Sequence, residues 1–193
     1  MLGSMLYRVI KGLLKIVILV FYRLEIEGQE KIPQQGSLIV AANHVSYMDP
    51  PVLGSAINRQ VHFMAKEELF KNPIMNWIYH QIGTFPVKRG KADRKAIKRA
   101  LELLRDDKVL GLFPEGSRGT KDVQLGVVMM AQKTGAPILP VALLNTNRKE
   151  ARGPIKVRIG TPIQFEKRGR LSRKEKQELA EEVMDRIYTL YNG

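Results

Sequence analysis

The run Leu38-Ile39-Val40-Ala41-Ala42 contains no polar side chain and stops abruptly at Asn43-His44. A short, unbroken apolar segment bounded by polar residues reads as a fully buried strand. Val109-Leu110-Gly111-Leu112-Phe113 and the stretch from Pro137 to Leu144 repeat the pattern. Weaker strand signals lie at Leu24 to Glu27, at Val61 to Ala65, and where Ile155, Val157 and Ile159 alternate with Lys156 and Arg158. Thr84-Phe85-Pro86-Val87 reads as an edge strand, because Pro86 has no N–H for a ladder.

Helical patterns separate these strands. From about Ala92 to Asp106, Ile97, Ala100, Leu101 and Leu104 form one apolar stripe. A second helix runs from Gly126 to Thr134 and is stopped by Gly135. Ser172 with Glu175 makes a capping box that opens a helix to about Tyr191, with Leu179, Val183, Ile187 and Leu190 on one face. Asn72-Pro73 starts a helix through His80 whose Ile74, Trp77 and Ile78 are expected to face the core, which makes His80 structural. Strands alternating with helices over 193 residues imply an α/β fold, a single domain with a mixed central sheet flanked by helices.

The N-terminus stands apart. Met1 to Ser4 precede a second methionine and read as leftover expression-vector residues. From Met5 to Tyr22 the chain reads as an amphipathic helix, with Arg8, Lys11 and Lys15 on one face and the apolar run Ile16 to Tyr22 following them. That run falls far short of the ~20 residues of a span. Cations opposite a bulky apolar face describe a helix lying among lipid headgroups; helical patterning alone allows packing on the protein's own core equally well. The expected division is a membrane-associating helix at 1–23 and a catalytic domain at 24–193.

With 32 Lys plus Arg against 19 Asp plus Glu, the net charge of +13 favours an anionic partner: nucleic acid, an anionic membrane surface or a phosphorylated substrate. The densest cations, Lys88 to Arg99, lack the interleaved aromatics that single-strand binding uses, and no recognition helix is evident, so no nucleic acid is expected. There is no cysteine, which removes disulfides, thiolate metal sites and Cys nucleophiles. His44, His62 and His80 lack metal-ligand spacing, so no metal is expected.

The chemistry-bearing stretch is Asn43-His44-Val45-Ser46-Tyr47-Met48-Asp49-Pro50-Pro51. Ligands of α/β sheets gather at strand ends. A histidine there, five residues before a carboxylate, has the parts of a general base and its orienting partner. Asp49 before Pro50 has equally the form of a helix N-cap, and His44 that of a turn histidine satisfied by backbone. After Phe113, the loop Pro114-Glu115-Gly116-Ser117-Arg118-Gly119 can bring N–H groups and a guanidinium fork onto phosphate. An ordinary turn with Arg118 pairing Glu115 is the alternative.

Four pieces in fixed order carry a resemblance: Asn43-His44 to Asp49, Gly83 to Arg89, Phe113 to Arg118, and Leu139-Pro140-Val141. Over roughly residues 24 to 165 the chain resembles the glycerolipid acyltransferases, most closely the bacterial 1-acyl-glycerol-3-phosphate acyltransferases. The resemblance implies transfer of an acyl chain from a thioester, acyl-CoA or acyl-carrier protein, to the sn-2 hydroxyl of lysophosphatidate, with no bound cofactor. It implies that His44 is the general base, that Asp49 orients it, and that Arg89, Glu115, Gly116, Ser117 and Arg118 hold the acceptor's phosphate and glycerol. Lys66 adds positive potential in that reading, and the Pro140 element is structural or serves the acyl donor. Oxyanion donors are expected among backbone N–H groups near Gly116 or Val141. Members often carry Phe-Lys-x-Gly where this chain has Val123-Gln124-Leu125-Gly126, so Gln124 replaces a family lysine. The implied location is the cytoplasmic face of the cell membrane, peripheral or monotopic. Competing readings are another acceptor, such as glycerol-3-phosphate or a different lysophospholipid, a basic nucleic-acid-binding module, and a membrane-surface protein with a decayed site.

Overall fold

The computed structural model describes residues 2–88, 93–115, 125–147, 153–164 and 171–193, without the side chains of residues 2–6, 8, 14, 15 and 19. Seven strands form one sheet: β1 (Glu25–Glu27), β2 (Leu38–Ala42), β3 (Val61–Lys66), β4 (Phe85–Val87), β5 (Val109–Leu112), β6 (Ile138–Leu144) and β7 (Lys156–Ile159). Their order is β1-β7-β6-β2-β5-β3-β4, parallel throughout except for the antiparallel β6/β7 pair. The sheet is mixed, as expected, and the proline-bearing β4 lies at its edge. The helices are α1 (Leu2–Tyr22), α2 (Asp49–Ala56), α3 (Pro73–Gln81), α4 (Arg94–Arg105), α5 (Gly126–Thr134) and α6 (Arg173–Asn192).

The apolar run that reads as a buried strand is β2, at the sheet's centre, with all five residues buried. Successive side chains alternate across the sheet. Leu38, Val40 and Ala42 pack with Ile18 of α1 and Val52, Leu53 and Ala56 of α2. Ile39 and Ala41 pack on the other face with Ala100 and Leu104 of α4, Val128 of α5 and Val183 and Ile187 of α6. A fully buried Ile or Leu contributes about 1.5–3 kcal/mol. Because both faces of β2 are apolar, its register with β5 and β6 is set by the flanking turns and strand pairing, and that register places the residues that follow it.

Local chemistry marks the helix ends. Ser172 and Glu175 close the expected capping box, Asn72 accepts from the N–H groups of Ile74 and Met75 ahead of α3, and Asp93 accepts from those of Lys95 and Ala96 ahead of α4. Gly135, at φ 75°, ends α5 in the left-handed conformation that glycine adopts without strain.

Two helices differ from expectation. In α1, which begins at Leu2, Lys11 faces inward: its Nζ donates to the carbonyls of Ile57 and Arg59 just past the end of α2. Those carbonyls have no helical partner and lie at the negative pole of α2, so an ammonium satisfies them well. Tyr7, whose hydroxyl burial pushes above the usual phenol pKa, and Ile18 line the same inward face. The outward face of α1 is therefore apolar, with Val9, Leu13, Ile16, Val20 and Phe21 each at least 50% exposed. In α3 no residue is buried: Ile74 is 69% and Trp77 55% exposed. The expected core stripe of α3 faces out because the helix lies beyond the sheet, against α1 and the 67–70 turn, where Phe70 meets the rings of Tyr79 and His80 at 5.2 and 5.7 Å.

Candidate active site

Val40 pairs with Gly111, an offset of 71 that also separates His44 from Glu115 just past the C-terminal ends of β2 and β5. The strand pairing thus delivers both residues to one place. Asn43 continues the central strand with its side chain, its amide donating to Leu143 O at 2.9 Å and its oxygen accepting from Leu143 N–H at 2.7 Å. A buried carboxamide bonded in this way holds the chain straight up to His44.

His44 is fixed on three sides. Its Nδ1 lies 2.8 Å from Asp49 Oδ2. Its ring stacks on Phe113, centroids 4.2 Å apart and 20° from parallel, and Phe113 leans on Phe63. Its backbone N–H donates to Glu115 Oε2 at 3.0 Å. Asp49 Oδ2 also accepts from the N–H groups of Val45 and Ser46, both at 2.7 Å, so it acts as an acceptor and Nδ1 carries the proton. The basic lone pair then sits on Nε2, which has no partner among the described residues. With 5% of His44 and none of Asp49 exposed, the pair is withdrawn from bulk water.

Asp49 is not the cap of its helix. It is the first residue of α2, and its carboxylate turns back to the His44–Ser46 turn. Pro50 and Pro51 have no N–H to be capped, and the Val52 N–H already donates to Met48 O, so the helix start offers the side chain no donor. Asp49 Oδ1 is buried without a partner among the described residues.

Glu115, 4% exposed, serves a second donor: Tyr188 of α6 gives its hydroxyl proton to Oε1 at 2.8 Å. The Tyr188 pKa is pushed up to about 12, by desolvation first and then by the Glu115 carboxylate, so the phenol stays a neutral donor across the physiological range. Tyr188 and Asn43's strand-like pairing gave no sequence signal, because each depends on which elements become neighbours.

Lys66 ends β3 at the same edge of the sheet, half-exposed and paired with Glu68 Oε1 at 3.1 Å. No hydrogen bond joins it to His44 among the described residues. Arg89, Gly116, Ser117, Arg118 and Gln124 lie outside the described residues; the chain enters those segments just past Val87 and at Glu115, also at this edge. Of the other histidines, His62 bonds Gly83 O at 3.0 Å and His80 meets Phe70. Among the described residues no cluster of His, Cys, Asp and Glu could hold a metal.

A family model described as Acyltransferase matches residues 23–144. The chain belongs to the acyltransferase family. It is 31% identical to the 1-acyl-sn-glycerol-3-phosphate acyltransferase of Bacillus subtilis (strain 168), spanning 97% of this chain and 98% of that protein. A lyso-ornithine lipid O-acyltransferase of Pseudomonas aeruginosa is 31% identical over 62% of this chain and 47% of its own length. The crystal structure of the 1-acyl-sn-glycerophosphate acyltransferase PlsC from Thermotoga maritima shares the fold, with a TM-score of 0.76 at 31% identity over 95% of this chain and 78% of that one. In this acyltransferase, the His44–Asp49 pair sits just past the C-terminal end of the central strand β2, beside Glu115.

Proposed function

We propose that this acyltransferase moves an acyl chain from a thioester, acyl-CoA or acyl-carrier protein, to the sn-2 hydroxyl of 1-acyl-glycerol-3-phosphate, giving phosphatidate. The observation that carries the reading is the clamped His44, with Nδ1–H on Asp49 and Nε2 without a partner among the described residues. Nε2 takes the proton of the acceptor hydroxyl as its oxygen attacks the thioester carbonyl. General-base assistance of this kind contributes about 10²–10⁴-fold. The positive charge that develops on the imidazole is met by Asp49. Collapse of the tetrahedral intermediate expels the thiolate, which takes the proton back from His44, so the products are phosphatidate and a free thiol. No acyl-enzyme is required: the chain has no cysteine, and His44 draws its proton from the acceptor and not from Ser46.

Arg89 and Arg118 supply the guanidinium forks for the acceptor's phosphate, with Gly116 and Ser117 beside the glycerol and Lys66 adding positive potential. What supports this is the direction of the strands, whose ends bring both of those segments and Lys66 to the His44 edge of the sheet.

Residues 1–23 attach the enzyme to the cytoplasmic face of the cell membrane, and residues 24–193 form the acyltransferase domain. No helix among the described residues is long and apolar enough to cross a membrane. Support for surface attachment comes from the outward apolar stripe of α1, with Ile74 and Trp77 of α3 exposed on the neighbouring helix. Such a face enters the headgroup boundary while a net charge of +13 draws the protein to anionic lipid.

An acceptor-and-donor panel tests the activity. In anionic vesicles, lysophosphatidate should be converted with an acyl thioester and should be preferred to glycerol-3-phosphate and to lyso-ornithine lipid. Preference for either alternative would overturn the assigned acceptor.

A further inference from the structure

We propose that Tyr188 is a positioning residue for acyl transfer, holding the His44 backbone in place through the Glu115 carboxylate. The inference rests on the activity proposed above. Glu115 bridges two elements far apart in sequence: Oε2 takes the His44 N–H at 3.0 Å and Oε1 the Tyr188 hydroxyl at 2.8 Å. Neither oxygen is then free to swing. Tyr188 is itself anchored, because the preceding residue, Ile187, is fully buried with Ile39 and Ala41 on the face of the central strand.

Asp49 and Phe113 fix the plane of the imidazole, while the Glu115 contact fixes the point from which the side chain springs. Removing the Tyr188 hydroxyl leaves Oε1 without that donor in a site that is 4% exposed. With that hold lost, the carboxylate shifts relative to the His44 N–H, and Nε2 loses its alignment with the acceptor oxygen. Proton transfer is sensitive to displacements well under an ångström, whereas binding of a charged headgroup by arginines is not. The signature is therefore a loss in kcat at constant KM.

The test compares full-length wild type, Tyr188→Phe, Glu115→Gln, their double variant and Tyr191→Phe in anionic vesicles. Tyr191 is on the same helix and makes no hydrogen bond to Glu115 or His44 among the described residues, so its variant should match wild type. Tyr188→Phe should lower kcat about tenfold, the scale of one hydrogen bond to a charged group, with KM for lysophosphatidate and thioester unchanged. The double variant should be no slower than Glu115→Gln, since both act through one contact. Wild-type kcat in Tyr188→Phe, additive losses, or a raised KM at intact kcat would each overturn the inference. An amide-proton resonance separates this from the activity reading. If wild type proves inert toward lysophosphatidate, the proposed activity fails, and the bridge is then judged by the His44 N–H signal: an upfield shift in Tyr188→Phe supports it, and an unmoved signal overturns it.

Discussion

Replacing Asp49 by Asn isolates the charge of the site from its shape. The side-chain oxygen of Asn can occupy the position of Oδ2 and still accept from Val45, Ser46 and His44 Nδ1, so the turn is preserved. What disappears is the negative charge facing the imidazolium formed during attack. With Nδ1 2.8 Å from Oδ2, the charge centres lie about 4 Å apart; at an effective dielectric of about 20 that is worth about 4 kcal/mol for a full charge. With half to all of the proton transferred in the transition state, the loss is about 2–4 kcal/mol, or roughly 30- to 1000-fold in kcat. In the proposed site the acceptor's phosphate is held by residues other than Asp49, so KM for lysophosphatidate should hold. The new NH₂ takes the place of Oδ1, which is buried and unpartnered among the described residues, and this costs about 1–3 kcal/mol of stability. Steady-state phosphatidate formation in vesicles gives kcat and KM, and a circular-dichroism melt confirms that the variant is folded at the assay temperature. A folded Asp49→Asn enzyme with wild-type kcat would refute the argument and reduce Asp49 to a former of the turn.

Two further outcomes follow from packing. In Gly111→Ala the new Cβ would lie 2.7 Å from Phe63 Cδ1 and 2.9 Å from Val61 Cγ1, and Phe63 leans on the Phe113 ring that stacks on His44. Overpacking of this kind costs about 1–3 kcal/mol; thermal melting should register it and kcat should fall, while unchanged values of both would disprove the stacked arrangement. Replacing the outward Ile16 and Val20 of α1 by Glu should move the protein from sedimented anionic vesicles into the supernatant without lowering its melting temperature; unaltered sedimentation would exclude this face as the attachment surface.

Period-2 and period-3.6 patterns identified most of the elements, and the terminal polar residues marked several helix starts. That succeeds where local chemistry is decisive, as at Ser172 with Glu175 or Asn72 ahead of Pro73. It fails for facing. The Ile74 and Trp77 spacing is the same whether a helix covers the sheet or lies outside it, and α3 lies outside. Lys11 reads as one of three cations on the headgroup face of an amphipathic helix until α2 ends beneath it and offers two carbonyls. In the site, His44 and Asp49 are five residues apart and their pairing was legible; the choice between cap and orienting carboxylate was not, because it turned on the Val52 N–H donating to Met48 O. That Glu115 also receives the His44 N–H depends on the β2/β5 register, which sets the two side by side, and Tyr188 is visible only once α6 packs across the sheet.

The central claim is that His44 Nε2 removes the proton of the acceptor hydroxyl. Single-turnover acyl transfer by His44→Ala, with lysophosphatidate and thioester saturating in anionic vesicles, tests it most directly. The chemical step should slow by about 10²–10⁴-fold while lysophosphatidate still binds with wild-type affinity. A folded His44→Ala protein that forms phosphatidate at the wild-type single-turnover rate would contradict the account.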